Sequence, residues 1–231
     1  MRIEIWSDVV CPWCYIGKRR LEAALAEFPH EVEVVWRSFQ LDPGSPVVAT
    51  ETVAEHLGRK YGGGPAAGQR MIDNVEAVAA ELGLVYRLGE AKRVNTVDAH
   101  RLLHLAASEG VQGELEEALF AAYFTQALNV GDHEVLRSLA AEVGLAPERV
   151  DAVLTSEEFR DAVYADIEQA QAYGATGVPF FVVDQKYGIS GAQPVELFSQ
   201  VLNQAWADSH PVLQMADTSG GEACGPEGCA I

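Results

Sequence analysis

The chain has 231 residues, 48% of them apolar and 22% charged, which is enough to bury a core and too apolar for a disordered chain. Its formal net charge of -18 argues against a sequence-independent grip on nucleic acid or an anionic membrane, since both need clustered Lys and Arg. No apolar run approaches the ~20 residues of a membrane span, and Met1 runs into Arg2-Ile3-Glu4-Ile5-Trp6 without the basic and apolar regions of a secretory signal. The expected location is cytoplasmic, where thiols are kept reduced and cysteines read as catalytic or redox-sensing before they read as structural.

Residues Arg2 to Ser7 alternate apolar and polar side chains and predict a strand; a helical pattern follows from Pro12 through Ile16, Leu21 and Leu25 to Phe28. Glu31 to Phe39, rich in Val, Trp and Phe, reads as a second strand parallel to the first. From about Thr50 to Tyr173 the periodic stretches are helical: Val53 to Tyr61, Gln69 to Leu82, Asn95 to Glu109, Gly113 to Leu128, Glu134 to Val143 and Pro147 to Ala172. Strand character returns at Val178 to Val183. A turn at Asp184-Gln185 leads to a paired strand at Tyr187 to Ser190, and Pro194 opens a last helix, Val195 to Trp206. Residues 210–231 are polar and Gly-rich without periodicity, and read as a flexible tail.

The chemistry concentrates at Cys11-Pro12-Trp13-Cys14, at a strand-to-helix junction. There the first sulfur meets unpaired backbone N–H groups and the positive end of the helix dipole, which stabilise a thiolate. Cys11 is the expected nucleophile, and Cys14, one turn in, is placed to attack a mixed disulfide formed at Cys11. Zinc would need a second ligand pair at suitable spacing, and inert cysteines seldom bracket Pro-Trp directly after a strand, so the redox reading is preferred and no metal site is assigned. Thr176-Gly177-Val178-Pro179 precedes the strand Phe180 to Val183. A proline at a strand's first residue is most often trans, but beside a Cys-x-x-Cys a cis Val178-Pro179 bond is favoured, freeing the preceding backbone to pair with an extended substrate.

The stretch Ile5-Trp6-Ser7-Asp8-Val9-Val10-Cys11-Pro12-Trp13-Cys14-Tyr15-Ile16-Gly17 resembles the opening of the DsbA-like family, in particular its cytoplasmic FrnE-like branch. Trp36-Arg37-Ser38-Phe39-Gln40-Leu41, Asn95-Thr96 with His100-Arg101-Leu102, and Ala175-Thr176-Gly177-Val178-Pro179 resemble later landmarks of that branch. The resemblance implies an α/β, thioredoxin-like fold, formed by residues 1–46 and 174–209. A large all-helical insertion, residues 47–173, separates its strand-helix-strand half from a cis-Pro strand-hairpin-helix half. It also implies a protein disulfide oxidoreductase or isomerase with Cys11, Cys14 and Pro179 at its centre and Pro12, Trp13, Val178, Asn95 and Thr96 as candidate substrate-binding residues. Expected partners are protein thiol or disulfide clients, with glutathione or another small thiol as co-substrate and no bound cofactor. Kappa-class transferases and 2-hydroxychromene-2-carboxylate isomerases resemble the chain in fold and in the Asn-Thr segment, and supply the alternative, a glutathione-dependent small-molecule enzyme. They carry a lone Ser where this chain has Cys11.

Other residues keep two readings. Asp8 either caps the helix or adjusts the thiolate, and Asn95 and Thr96 either cap the helix that follows or sit at the active-site mouth. Trp13 and Tyr15 either pack or offer an apolar surface to an unfolded client. His100 and His104 have the i, i+4 spacing of a metal pair but no third ligand, so ordinary histidines are preferred. Cys224-Gly225-Pro226-Glu227-Gly228-Cys229 is a second dithiol on a tight turn. Between His210 and Cys224 the chain reaches roughly 45 Å when extended, so Cys224 and Cys229 are candidates for an auxiliary redox pair that exchanges with Cys11 and Cys14.

Overall fold

The computed structural model describes residues 1–46 and 51–211. Strand β1 (Arg2–Ser7), helix α1 (Pro12–Ala26) and strand β2 (Glu33–Ser38) form the first half. Helices α2 (Val53–Lys60), α3 (Gly64–Glu81), α4 (Val97–Ser108), α5 (Gln112–Phe120), α6 (His133–Glu142), α7 (Pro147–Leu154) and α8 (Arg160–Ala172) follow. The chain then returns through β3 (Phe180–Val183), β4 (Tyr187–Ser190) and α9 (Val195–Ser209). The strands lie in the order β2-β1-β3-β4, with β1 and β2 parallel and the other pairs antiparallel. This is the expected α/β thioredoxin-like fold with a helical insertion.

The period of two in the strands sorts side chains to opposite faces of the sheet. Register sets Ile5 between Trp36 and Phe181, and this face packs under α1 and α9, where Phe181 meets Phe198 edge to face at 4.8 Å. Trp6, Phe180 and Val182 occupy the other face beside Ala170 of α8. There Trp6 Nε1 donates to the Asp166 carbonyl at 2.7 Å, and Arg37 bridges Glu4 at 2.9 Å and the Asp166 carboxylate at 3.2 Å. Burying an indole N–H and two carboxylates is tolerable because each finds a partner. Tyr15, Lys18 and Arg19 of α1 all bond Glu117 of α5, tying the insertion to the thioredoxin half.

Three helices differ from the periodicity. Helix α3 starts at Gly64 and includes Gly68, which the pattern leaves in a loop; a Cβ on Gly68 would stand 2.0 Å from the Ala54 carbonyl oxygen, so α2 and α3 cross too closely for a side chain there. Helix α5 continues into a π-helical turn, Ala121–Thr125, in which Gln126 N reaches back to Ala121 O at 3.1 Å. The wider turn lets Tyr123 and Phe124 both point inward. The single helix expected over Pro147 to Ala172 is broken at Thr155 to Phe159, where Phe159 adopts φ 64.

The break has a cause in α4. Arg101, 1% exposed, donates to the carbonyls of Glu158 (2.7 Å), Ser156 (2.6 Å) and Val153, and to Asp98 Oδ1 at 2.8 Å. Carbonyls freed by the helix break are thereby satisfied by one buried guanidinium, which cannot be replaced by a shorter donor reaching all of them. Arg101→Met strands these carbonyls, so urea denaturation is expected to give a loss of roughly 3 kcal/mol.

Candidate active site

Cys11 is the N-cap of α1, with extended backbone (φ -89, ψ 111), and Pro12 fills the first helical position, where no N–H is needed. The Cys11 N–H donates to the Asp8 carbonyl at 2.8 Å and the Cys14 N–H to the Cys11 carbonyl at 3.0 Å. No side chain caps the helix. The Asp8 carboxylate accepts from the Leu41 N–H at 2.8 Å instead, so the capping reading of Asp8 gives way to a loop-fixing one.

Across from the sulfurs, Val178-Pro179 is a cis peptide bond, and the Cys11 thiol donates to the Val178 carbonyl at 3.5 Å. The fit is tight at Gly17: a Cβ there would lie 3.1 Å from both Phe181 Cζ and Pro179 Cγ. On the insertion side, the Tyr86 hydroxyl donates to the Pro12 carbonyl at 2.8 Å. Tyr86 stacks on Phe124 and Tyr15 on Phe120, with ring centroids 4.7 and 4.8 Å apart. The motif is thus gripped by the sheet half and by the insertion together.

A cavity of about 540 Å³ lies between the motif and α2 and α3. Of the residues singled out in the sequence, Asp8, Cys11, Pro12, Trp13, Thr96 and Val178 line it, and apolar side chains such as Leu57 and Ile72 supply much of the remaining wall. Trp13 is 42% exposed and forms part of its open rim. Asn95 stands behind: its side chain accepts from the Val97 N–H at 3.0 Å, capping α4, and donates to the carbonyls of Pro43 and Ser45, each at 3.2 Å. Cys224 and Cys229 lie outside the described residues.

Cys14 is 1% exposed. Burial pushes its thiol well up from the ordinary range, and the hydrogen bond and charge of Cys11 push the same way; the Asp8 main chain and the Ser7 hydroxyl pull back. Glu116 of α5 accepts from the Ser7 hydroxyl at 2.9 Å, and His100 of α4 has its Nε2 3.4 Å from Asp8 Oδ1. His104 turns instead to Ser38 and Asp166, each at 3.2 Å, so the two histidines do not share a ligand. Among the described residues no group of three or more His, Cys, Asp or Glu is placed to hold a metal ion.

Ser7, Tyr86 and Glu116 were not singled out from the sequence. For Glu116 a signal exists: it shares the buried stripe of α5 with Leu115, Leu119 and Phe120, an unusual place for a carboxylate. Burial pushes Glu116 up to about 7, with His100 and the Ser7 hydrogen bond opposing and Asp8 adding to the rise. A carboxyl group raised from 4.5 to about 7 stabilises the fold fully below pH 4.5 and loses that contribution as pH climbs through about 7. Between these limits the unfolding free energy of the native protein should therefore fall by about 3 kcal/mol more than that of Glu116→Gln. Urea titrations of both proteins across this range measure the difference.

Comparison with known proteins agrees with this geometry. The chain superposes on a probable DsbA oxidoreductase from Streptomyces coelicolor with a TM-score of 0.86 and 48% identity, covering 100% of this chain and 99% of that one. The protein YwbO of Bacillus subtilis (strain 168) is 26% identical over 205 residues, 88% of this chain and 96% of the relative. The fold is also similar to that of the cytosolic disulfide reductase DsbM of Pseudomonas aeruginosa, solved with GSH, at a TM-score of 0.63 and 18% identity, covering 88% of this chain and 98% of that one. The DSBA-like thioredoxin domain matches residues 2–203, and with the two cysteines at the head of α1 facing a cis-proline loop, the chain belongs to that family of oxidoreductases and isomerases.

Proposed function

We propose that the protein is a thiol-disulfide oxidoreductase or isomerase of the FrnE-like branch, acting on protein disulfides in the cytoplasm through Cys11 and Cys14. The observation that carries this reading is the position of Cys11: it is the uncapped N-cap of α1, lines the cavity, and has the Val178 carbonyl 3.5 Å from its sulfur. Thiol-disulfide exchange needs an attacking sulfur with access to the client and a second sulfur withheld from it. Cys11 attacks one client sulfur, forming a mixed disulfide while the other client sulfur leaves as a thiolate. Cys14 then attacks Cys11 Sγ, the intramolecular disulfide forms, and the second client sulfur departs. Run backwards, the same steps insert a disulfide into a client.

The Val178 backbone next to Pro179 is the proposed docking edge for an extended client segment, and Pro12 and the exposed Trp13 its apolar platform. Thr96 completes the floor, with Asn95 holding the α4 N-terminus in place. Glutathione or another small thiol recycles the Cys11–Cys14 pair, and Cys224–Cys229 serves as an auxiliary dithiol brought back by the tail. No helix among the described residues is long and apolar enough to cross a membrane.

The expected outcome for insulin reduction with a small thiol as electron donor is loss of at least about a hundredfold in Cys11→Ser; reduction that survives this change rejects the reading. In Cys14→Ser, mixed disulfides at Cys11 should accumulate and be mapped by mass spectrometry. A link from Cys11 to Cys224 or Cys229 among them supports the auxiliary pair, and none rejects it. A second reading, glutathione-dependent conversion of a small molecule, is favoured by the size and apolar walls of the cavity, which fall within the range of small-molecule sites. Turnover with glutathione that persists in Cys14→Ser distinguishes it.

A further inference from the structure

The cavity beside Cys11 is larger and more apolar than an exchange between two sulfurs requires. Its volume of about 540 Å³ is more than three times the roughly 150 Å³ that holds a benzene ring in an apolar core, so a single apolar side chain of a client leaves much of it empty. Helix α2 turns Val53, Leu57 and Tyr61 toward it at a spacing of four residues, and Ile72 and Val75 of α3 also line it. These two helices pack backbone to backbone, a Cβ on Gly58 standing 2.0 Å from the Gly64 carbonyl oxygen, which fixes the wall before anything binds. Tyr61 and Met71, 62% and 39% exposed, join Trp13 in an open apolar mouth.

The charged groups lining this cavity are not equivalent. Arg93 is occupied: its Nε donates to Asp42 Oδ2 at 2.9 Å and its Nη1 lies 3.3 Å from Glu51 Oε1. His56 Nδ1 lies 3.3 Å from the same Glu51 oxygen, and the Asp8 carboxylate accepts from the Leu41 N–H. Lys60, in the last turn of α2, forms no ion pair among the described residues; its ammonium stands 5.6 Å over the Tyr61 ring. In a chain with 34 acidic residues against 16 Lys and Arg, an exposed lysine without a carboxylate partner beside an apolar cavity is available to the anionic end of a ligand.

We propose that the cavity binds a low-molecular-weight thiol with an aliphatic body and one carboxylate remote from the sulfur, and that this thiol reduces the Cys11–Cys14 disulfide. Its chain lies along Leu57 and Ile72, its carboxylate meets Lys60, and its sulfur reaches Cys11. The proposal rests on the dithiol reading of Cys11 and Cys14 and names the class of their small electron donor. Glutathione suits these walls poorly: it carries two carboxylates and an ammonium with little apolar surface, and charged groups lose more on leaving water than they regain against Leu, Ile and Val.

The electrons balance over two thiols. The bound thiol gives its proton to water, and its thiolate attacks Cys11 Sγ, the sulfur that lines the cavity. The Cys11–Cys14 bond breaks, and the Cys14 sulfur leaves with the electron pair and takes up a proton. A second thiol then attacks the ligand sulfur of the mixed disulfide. The Cys11–ligand bond breaks, Cys11 leaves as a thiolate, and the two ligand molecules depart joined as their own disulfide. Two thiols have thus given two electrons and two protons to the cysteine pair.

The full-length chain carrying Cys224→Ser and Cys229→Ser, oxidised at Cys11 and Cys14, tests the proposal. Its reduction is timed by acid quenching, alkylation and mass spectrometry with 4-mercaptobutanoate, 6-mercaptohexanoate, 8-mercaptooctanoate, 8-mercaptooctanol and glutathione. The alkyl thiols present the same sulfur chemistry, so a rate that grows with length reports burial of the chain. The rate constant at low thiol should rise about threefold per added methylene, and the 8-carbon acid should outrun glutathione by at least about tenfold. Leu57→Asn should flatten the dependence on length. Lys60→Gln should raise the half-saturating concentration of the 8-carbon acid about threefold at an unchanged saturating rate and erase its advantage over the alcohol, and Lys60→Arg should keep that advantage. Rates independent of chain length, or glutathione matching the 8-carbon acid, overturn the proposal; equal rates for acid and alcohol in the protein with native Lys60 overturn the carboxylate end of it. Octanoate, which has no thiol, should slow reduction by the mercapto acids. If it slows only the reduction of insulin by the reduced protein, the cavity belongs to the protein client and the proposal is overturned. If no thiol, glutathione included, reduces a Cys11–Cys14 disulfide, the dithiol reading itself falls.

Discussion

The close approach of α1 to the loop ahead of β3 governs the rest of this molecule. Glycine at position 17 eases this approach, because a Cβ would stand 3.1 Å from the Phe181 and Pro179 side chains, which would have to give by a few tenths of an ångström. That contact fixes the distance between the helix N-terminus and the Val178 carbonyl, and with it the position of Cys11. Moving α1 outward would open the Cys11–Val178 contact and disturb the packing of Phe181 on Phe198 below it.

The insertion is more than a lid placed between two halves of a thioredoxin fold. It grips the motif through the Tyr86 hydroxyl on Pro12, through the aromatic stack under Tyr15, and through the Glu117 ion pairs with α1. It also forms the far wall of the cavity and brings His100 to Asp8 and Glu116 to Ser7. The two sulfurs therefore have different surroundings: Cys11 meets the cavity, while Cys14 meets buried polar groups that stabilise or oppose its ionisation. That asymmetry is the physical basis for the division of attack and resolution proposed between them.

Much of this architecture was legible residue by residue. Alternation in Arg2 to Ser7 and the apolar run at Phe180 to Val183 mark strands because side chains there alternate faces or are buried on both. Pro12 and Pro194 mark helix starts because proline lacks an N–H that those positions do not use. The break between α7 and α8 was not legible, because local periodicity continues across it and the guanidinium that satisfies the freed carbonyls comes from Arg101, more than fifty residues away. The π-helical turn at Ala121–Thr125 was hidden for a similar reason: it is set by the need to bury Tyr123 and Phe124 together, which depends on what packs opposite them.

By itself the sequence determined the pair of sulfurs at a strand-to-helix junction, a proline at the start of a later strand and the order of elements that separates the two, since each follows from local geometry and hydrophobic period; that the proline loop faces the sulfurs was implied by the family resemblance. Tertiary structure alone decided which groups surround those sulfurs. Ser7, Asp8, His100 and Glu116 are spread over more than a hundred positions and meet only when α4 and α5 fold back onto β1. Burial, the force that sets Cys14 and Glu116 away from their ordinary ionisation, belongs to the packed chain and has no counterpart in the order of its residues.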